Sequence, residues 1–238
     1  ASIISILLVF DRKKTINYTL LICFVVLQCG FPLYEYLHIN IPELYYFPPD
    51  ALALLMLITL TIISIAAMYH SFKYLSGKND IPKHTAIYFS AMVVLLTAVS
   101  AAYLSNHIAV TWIFVEITTL SASALIYHRR NNRSLEGTWK YVFVCAISLT
   151  LVFVGILFLS FALKQAGSDN LSYDILLTKA HGLNIFWLQL AFIFIFTGFS
   201  AKLGLVPMYT AGIDAKDKAP SPAGALFSSV LINMGFVA

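Results

Sequence analysis

Charge is what this chain has least of. Only 11% of its 238 residues are Asp, Glu, Lys or Arg, while 60% are hydrophobic and the mean hydropathy is +0.83. Soluble domains carry roughly 25% charged residues, so an ordinary water-soluble globule is excluded. Cysteine is scarce as well. Cys23, Cys29 and Cys145 lie in apolar runs at no metal-ligand spacing. That excludes a cysteine-held iron–sulfur cluster and reads as small apolar residues buried between helices. No glycine-rich phosphate loop follows a strand pattern, and there is no nucleophile elbow. No two of the six histidines share an i, i+4 face with a carboxylate, so they read as hydrogen-bonding groups at span ends and loops rather than metal ligands. The net charge of +4 sits in connecting loops, which argues for a topology signal and against a nucleic-acid surface. No internal repeat or second soluble domain is visible.

What the chain has in abundance is long apolar runs, several near the roughly 20 residues that a membrane-crossing helix needs. Residues 1–10 read as the tail of a first span, and 16–34, 51–69, 85–104, 108–127, 138–163 and 185–204 as six more. An eighth starts after Pro222. The absence of an initiator Met at Ala1 and the stop at Ala238 within an apolar run are expected of a chain truncated at both ends. The Tyr- and Pro-rich stretch 35–50 suits a membrane–water interface. If the spans alternate, Arg12, Lys13, Lys14, Lys73, Lys78, Lys83, Arg129, Arg130, Arg133, Lys216 and Lys218 share one side. Lys164 and Lys179 take the other, which makes the first side cytoplasmic by the positive-inside rule. The fold class is therefore all-α, a polytopic membrane helix bundle.

Two basic residues remain outside the loops, Lys140 and Lys202, and one carboxylate lies at mid-span, Glu116. A charge in hydrocarbon is costly, so each must be paired, hydrated or functional. Thr119 and Ser123 follow Glu116 at helical spacing and Trp112 precedes it by one turn, so a polar stripe faces the bundle interior. A carboxylate there serves either ion transport or a structural ion pair that pins two helices. Lys202 stands just before an interruption at Gly204 and Pro207, after which the apolar pattern resumes at 209–213. Irregular backbone at membrane depth must be buried in protein or line a wet cavity, and broken helices beside a charge mark ion pathways. A lysine at a helix end can also snorkel to the interface. Lys140 follows Trp139, the pattern of an interfacial anchor.

With those residues in view, the stretch 112–141 (WIFVEITTLSASALIYHRRNNRSLEGTWKY) and the motif Lys202-x-Gly204-x-x-Pro207 followed by Ala219-Pro220-Ser221-Pro222 resemble a known family. It is that of the proton-conducting antiporter-like subunits of complex I and of hydrogenase complexes, hydrogenase-4 component F being nearest in type and Mrp-type cation/proton antiporters more distant. The resemblance runs from about residue 83 to 238; residues 1–83 match in hydropathy only. It implies a discontinuous helix within the first of two inverted five-helix repeats (84–238), preceded by N-terminal helices (1–83), in a protein of about twice this length. It also implies that Glu116 and Lys202 form a switchable ion pair, that Lys140 is a proton-transfer lysine, and that Gly204–Pro207 is a gate. Thr119, Ser123, Tyr209 and Asn233 become candidate steps of the path. Departures occur where Tyr209 replaces a frequent His, Ala211-Gly212 a frequent Trp-Leu, Lys216 a frequent His, and Asn233 a Lys of some members. The expected role is a non-redox, proton-translocating subunit with no cofactor of its own. Its partners would be the membrane and peripheral subunits of a redox complex, the bilayer and protons, with no nucleic acid, in a bacterial plasma membrane. A cation/proton antiporter component and a membrane scaffold are the alternatives.

Overall fold

The structure, a computed structural model, describes residues 1–10, 14–38, 47–48, 50–76, 81–206 and 209–238. Pro207 of the expected gate lies outside the described residues. Everything described is helix or connection. The elements are α1 (Ser2–Phe10), α2 (Lys14–Leu37), α3 (Ala51–Ser76), α4 (Pro82–Leu104), α5 (Ile108–Ile126), α6 (Asn132–Gln165), α7 (Tyr173–Lys179), α8 (Ile185–Leu203), α9 (Thr210–Lys218), α10 (Ser221–Leu226) and α11 (Ile232–Val237). A π-turn over Phe227–Leu231 joins the last two. Among the described residues six helices are long and apolar enough to cross a membrane, with Ser221–Val237 a shorter apolar helix.

Local sequence explains where the helices begin and end. Pro82 opens α4, where its missing N–H costs nothing. Asn131 caps α6: its side chain accepts from the Ser134 amide at 2.6 Å while Ser134 Oγ accepts from the Asn131 amide at 3.1 Å. Asn184 caps α8 by accepting from the Phe186 amide at 3.0 Å. Gly204 ends α8 at φ 70°, a left-handed conformation open to glycine at low cost. The Leu205 amide then reaches back to the Ser200 carbonyl and the Gly204 amide to that of Ala201, which closes the helix end. The long connection expected at 164–184 contains α7, tied down where the Tyr173 amide donates to the Asn106 carbonyl and Asn106 Nδ2 donates to Asp174 at 2.6 Å.

The core sits around α4, most of whose residues are buried, flanked by α1, α3 and α5. The tightest helix pair is α6 with α8, which run antiparallel. A Cβ added at Gly198 would stand 2.5 Å from the Ser148 carbonyl oxygen, and one at Gly155 would stand 2.6 Å from Ile195 Cγ1. Small residues let the two backbones touch, the usual device where lipid removes the hydrophobic drive between helices. Cys145 is buried, but Cys23 and Cys29 are exposed, contrary to the expectation that all three are buried. They lie on the outward face of the peripheral α2, where a thiol is apolar enough to meet lipid.

Candidate functional site: a buried lysine at a helix break

Lys202 lies in the last turn of α8 and is only 7% exposed. Its ammonium donates to Thr119 Oγ1 of α5 at 2.7 Å and to the Tyr141 hydroxyl of α6 at 3.3 Å, and it stands 5.5 Å from the centroid of the Tyr141 ring. An ammonium has three donors. Two are satisfied by neutral hydroxyls, which leaves one for the cavity that Lys202 lines. The cavity measures about 340 Å³ and is walled by α6, α8, α9 and the π-turn segment, with Tyr141, Cys145, Gly204, Tyr209 and Lys216 among its lining. Gly235 of α11 closes on the other flank: a Cβ there would be 3.2 Å from Leu203 Cδ2 and 3.5 Å from Lys202 Cβ.

Thr119 holds its place through a bond from its hydroxyl to the Val115 carbonyl at 3.2 Å. Glu116 lies one turn earlier on the same face of α5. It is half-buried, its Oε2 is buried without a hydrogen-bond partner, and it is within electrostatic reach of Lys202 without forming an ion pair with it. The expected Glu116–Lys202 contact is therefore open in this structure, and Thr119 and Tyr141 take its place at the ammonium. Trp112, a turn before Glu116, locks α5 to α6 by donating from Nε1 to the Leu149 carbonyl at 2.8 Å.

The remaining expected residues fall into two groups. Gly204 and Tyr209 border the Lys202 cavity. Asn233 lies half-buried in α11 next to its wall, and the Ser123 hydroxyl turns to its own helix, donating to the Leu120 carbonyl at 2.6 Å. Lys140 points away from the cavity. It is 52% exposed and makes ion pairs with Glu136 at 2.6 Å and with Asp214 of α9 at 3.4 Å. Trp139 beside it is exposed, as an interfacial anchor would be. Reading the sequence missed Tyr141 and Gly235. Tyr141 closes the stretch 112–141 and stands four residues before Cys145, on the α6 face that lines the cavity.

Beyond the break, α9 continues along α6 towards the basic side, so α8 and α9 form one discontinuous helix. Residues 105–238, more than half of the chain, match the family described as NADH:quinone oxidoreductase/Mrp antiporter, transmembrane. The chain belongs to this family. The NADH:quinone oxidoreductase/Mrp antiporter match contains every residue of the Lys202 site and begins just before α5. The chain is 26% identical over 200 residues to a hydrogenase-4 component F homolog of Methylacidiphilum infernorum, covering 81% of this chain and 42% of that protein. It is 24% identical over 190 residues to F420H2 dehydrogenase subunit N of Methanosarcina mazei, covering 79% of this chain and 37% of that protein. Among solved structures, it superposes on a chain of the membrane-bound sulfane sulfur reductase, an archaeal respiratory membrane complex, with a TM-score of 0.84 at 20% identity, covering 98% of this chain and 49% of that one. This chain spans about half the length of these relatives or less. It is an integral, multi-pass, antiporter-like membrane chain.

Proposed function

We propose that this chain is the first half of a non-redox, proton-translocating membrane subunit of a hydrogenase or NADH dehydrogenase-like complex, and that Glu116 and Lys202 are its switch. The observation that carries this reading is a buried lysine at a helix break, bonded to neutral hydroxyls one turn from a carboxylate with an unpartnered oxygen. For both groups, a near opposite charge favours the ionised form and desolvation favours the neutral one. Opening or closing the contact then tips each between its two forms. With the contact open, the lysine releases its proton into the cavity beside it. With the contact closed, it is recharged. A second conformational state is required, and its population is set by whatever drives the complex.

The partners on this reading are the other membrane and peripheral subunits of a multi-subunit redox complex, in a bacterial plasma membrane with the basic loops in the cytoplasm. In the full-length protein within its complex, Glu116→Gln or Lys202→Ala is expected to abolish coupled proton pumping in proteoliposomes while assembly persists. Wild-type pumping by either assembled variant would sink the proposal. A cation/proton antiporter component is the second reading. It is favoured by the superposition, at TM-score 0.78 and 14% identity, on a chain of the Mrp complex of Dietzia sp., covering 98% of this chain and 44% of that one. Transport that requires sodium would select it.

A further inference from the structure

The first turns of α6 and the short α9 carry charges that match in antiparallel register. On α6 and its entry these are Arg129 and Arg133, then Glu136, then Lys140; on α9 they are Asp217, Lys218 and Asp214. Lys140 pairs with Asp214 at 3.4 Å. Lys218 lies within electrostatic reach of Glu136, and Arg129 and Arg133 within reach of Asp217. Lys140–Asp214 is the close ion pair across the two helices, Lys218 pairs with its neighbour Asp217, and the longer-range approaches also join opposite signs. The seat beneath is cut to fit, because a Cβ at Gly137 would stand 2.8 Å from Lys218 Cγ and 3.5 Å from the Asp214 carbonyl. Gly137, Lys140 and Tyr141 follow one another at i, i+3 and i+4, so one face of α6 holds both sides of the break: Tyr141 meets Lys202 before it, and Lys140 meets Asp214 after it.

We infer that this alternating charge row docks α9 on α6 and sets the width of the Lys202 cavity, with Lys140 acting as a positioning residue through Asp214 rather than as a carrier of the translocated proton. The pumping consequence rests on the proton-translocation reading above, whereas the docking does not. An exposed ion pair alone is weak. Here, however, α9 follows a glycine-ended break and, among its described residues, buries only Ala215, so the charges add to a small packing face, and a modest bias is enough to shift a two-state element.

The test uses the full-length protein in its complex, with Cys145 as the sole cysteine. Cys145 is buried in the cavity wall, so its labelling by a soluble maleimide reports the docking of α9 independently of transport. Lys140→Glu sets a third negative charge beside Glu136 and Asp214 and is expected to raise the labelling rate about fivefold, with pumping falling in step. Adding Asp214→Lys restores an opposite-charge contact and should return both readouts to within about twofold of the parent, a partial-coupling margin of the size expected for one exposed pair. Lys140→Arg keeps the charge but cannot shed a proton, so it should retain both. Unchanged labelling in Lys140→Glu, or no recovery in the double variant, overturns the docking. Loss of pumping in Lys140→Arg with labelling at the parent rate overturns the assignment of Lys140 as a positioning residue.

Discussion

The antiparallel contact of α6 and α8 can be tested with a substitution for which two physical effects predict opposite signs. Glycine inside a helix is less favourable than alanine by about 1 kcal/mol, so Gly→Ala at an open helical position should stabilise. Gly30 in α2 is such a position, since a Cβ there meets nothing within 4 Å. At Gly198 the new methyl would fall 2.5 Å from the Ser148 carbonyl oxygen and 2.9 Å from the Val152 amide nitrogen. Both are backbone atoms of α6, so no side-chain rotation relieves the contact and the helices must part. Overpacking costs typically 1–3 kcal/mol, and a backbone clash belongs at the upper end, about 3. Against a propensity gain of about 1, Gly198→Ala should lose about 2 kcal/mol, close to 30-fold in the folded population. Val152→Ala in the same chain should recover only part of this, because the clash with the Ser148 carbonyl remains. The assay is equilibrium unfolding of the full-length protein in mixed micelles, comparing Gly30→Ala, Gly198→Ala and the double variant with the parent. Because Gly198 precedes Lys202 by one turn, pumping should fall with stability. A Gly198→Ala protein as stable as Gly30→Ala would refute the close-contact argument.

Two further substitutions probe the site and its scaffold. Thr119→Val keeps the shape of the side chain but removes the 2.7 Å acceptor of the Lys202 ammonium. A hydrogen bond to a charged group is worth about 1.5–3 kcal/mol, so pumping should drop at least about tenfold, while Thr119→Ser retains it; equal rates for the two would exclude the hydroxyl from the path. Asn131→Ala removes the side-chain acceptor of the Ser134 amide, one half of the α6 capping box, and leaves the bond from the residue-131 amide to Ser134 Oγ. It should lower stability by about 1 kcal/mol with pumping per folded complex unchanged, measured by the same unfolding and proteoliposome assays.

The membrane-crossing helices could be read from the sequence because burial in lipid leaves a one-dimensional record: 51–69 and 85–104 carry no charged residue, and 108–126 carries one, Glu116. So could the α8 break, since Gly204 supplies the left-handed residue that ends a helix. Glu116 and Lys202 stood out because charges are rare at that depth. Their partners did not, because a hydrogen bond between α8 and α5 spans 83 residues of chain and depends on how α6 orients Tyr141. Lys140 is the instructive case. Sequence places it three residues after Gly137, where it could turn inward or outward. α6 settles the matter, because its 34 residues span about 51 Å at 1.5 Å each, well beyond the roughly 30 Å hydrocarbon core. Its first turns can therefore stand in the interface, where an exposed lysine is cheap and α9 offers Asp214.

This geometry also bears on why Lys202 and Glu116 are apart. A buried carboxylate oxygen without a partner and a buried ammonium resting on two neutral hydroxyls would both gain from contact, since bonds between opposite charges are stronger than those to neutral groups. Something must oppose the approach. Thr119 occupies the nearer position on α5, between Lys202 and the turn that carries Glu116, and Tyr141 holds the ammonium from the α6 side. Glu116 lies three residues before Thr119, about 4.5 Å of helix rise, so the ammonium must leave Thr119 to reach it. The end of α8 can follow only as far as the six connecting residues between Leu203 and Thr210 and the docking of α9 allow. Whatever moves α9 on α6 thereby changes the reach of Lys202 without touching either charge. On this reading the energetic coupling to distant subunits enters through the α9 seat, and the Glu116–Lys202 contact is where it is spent.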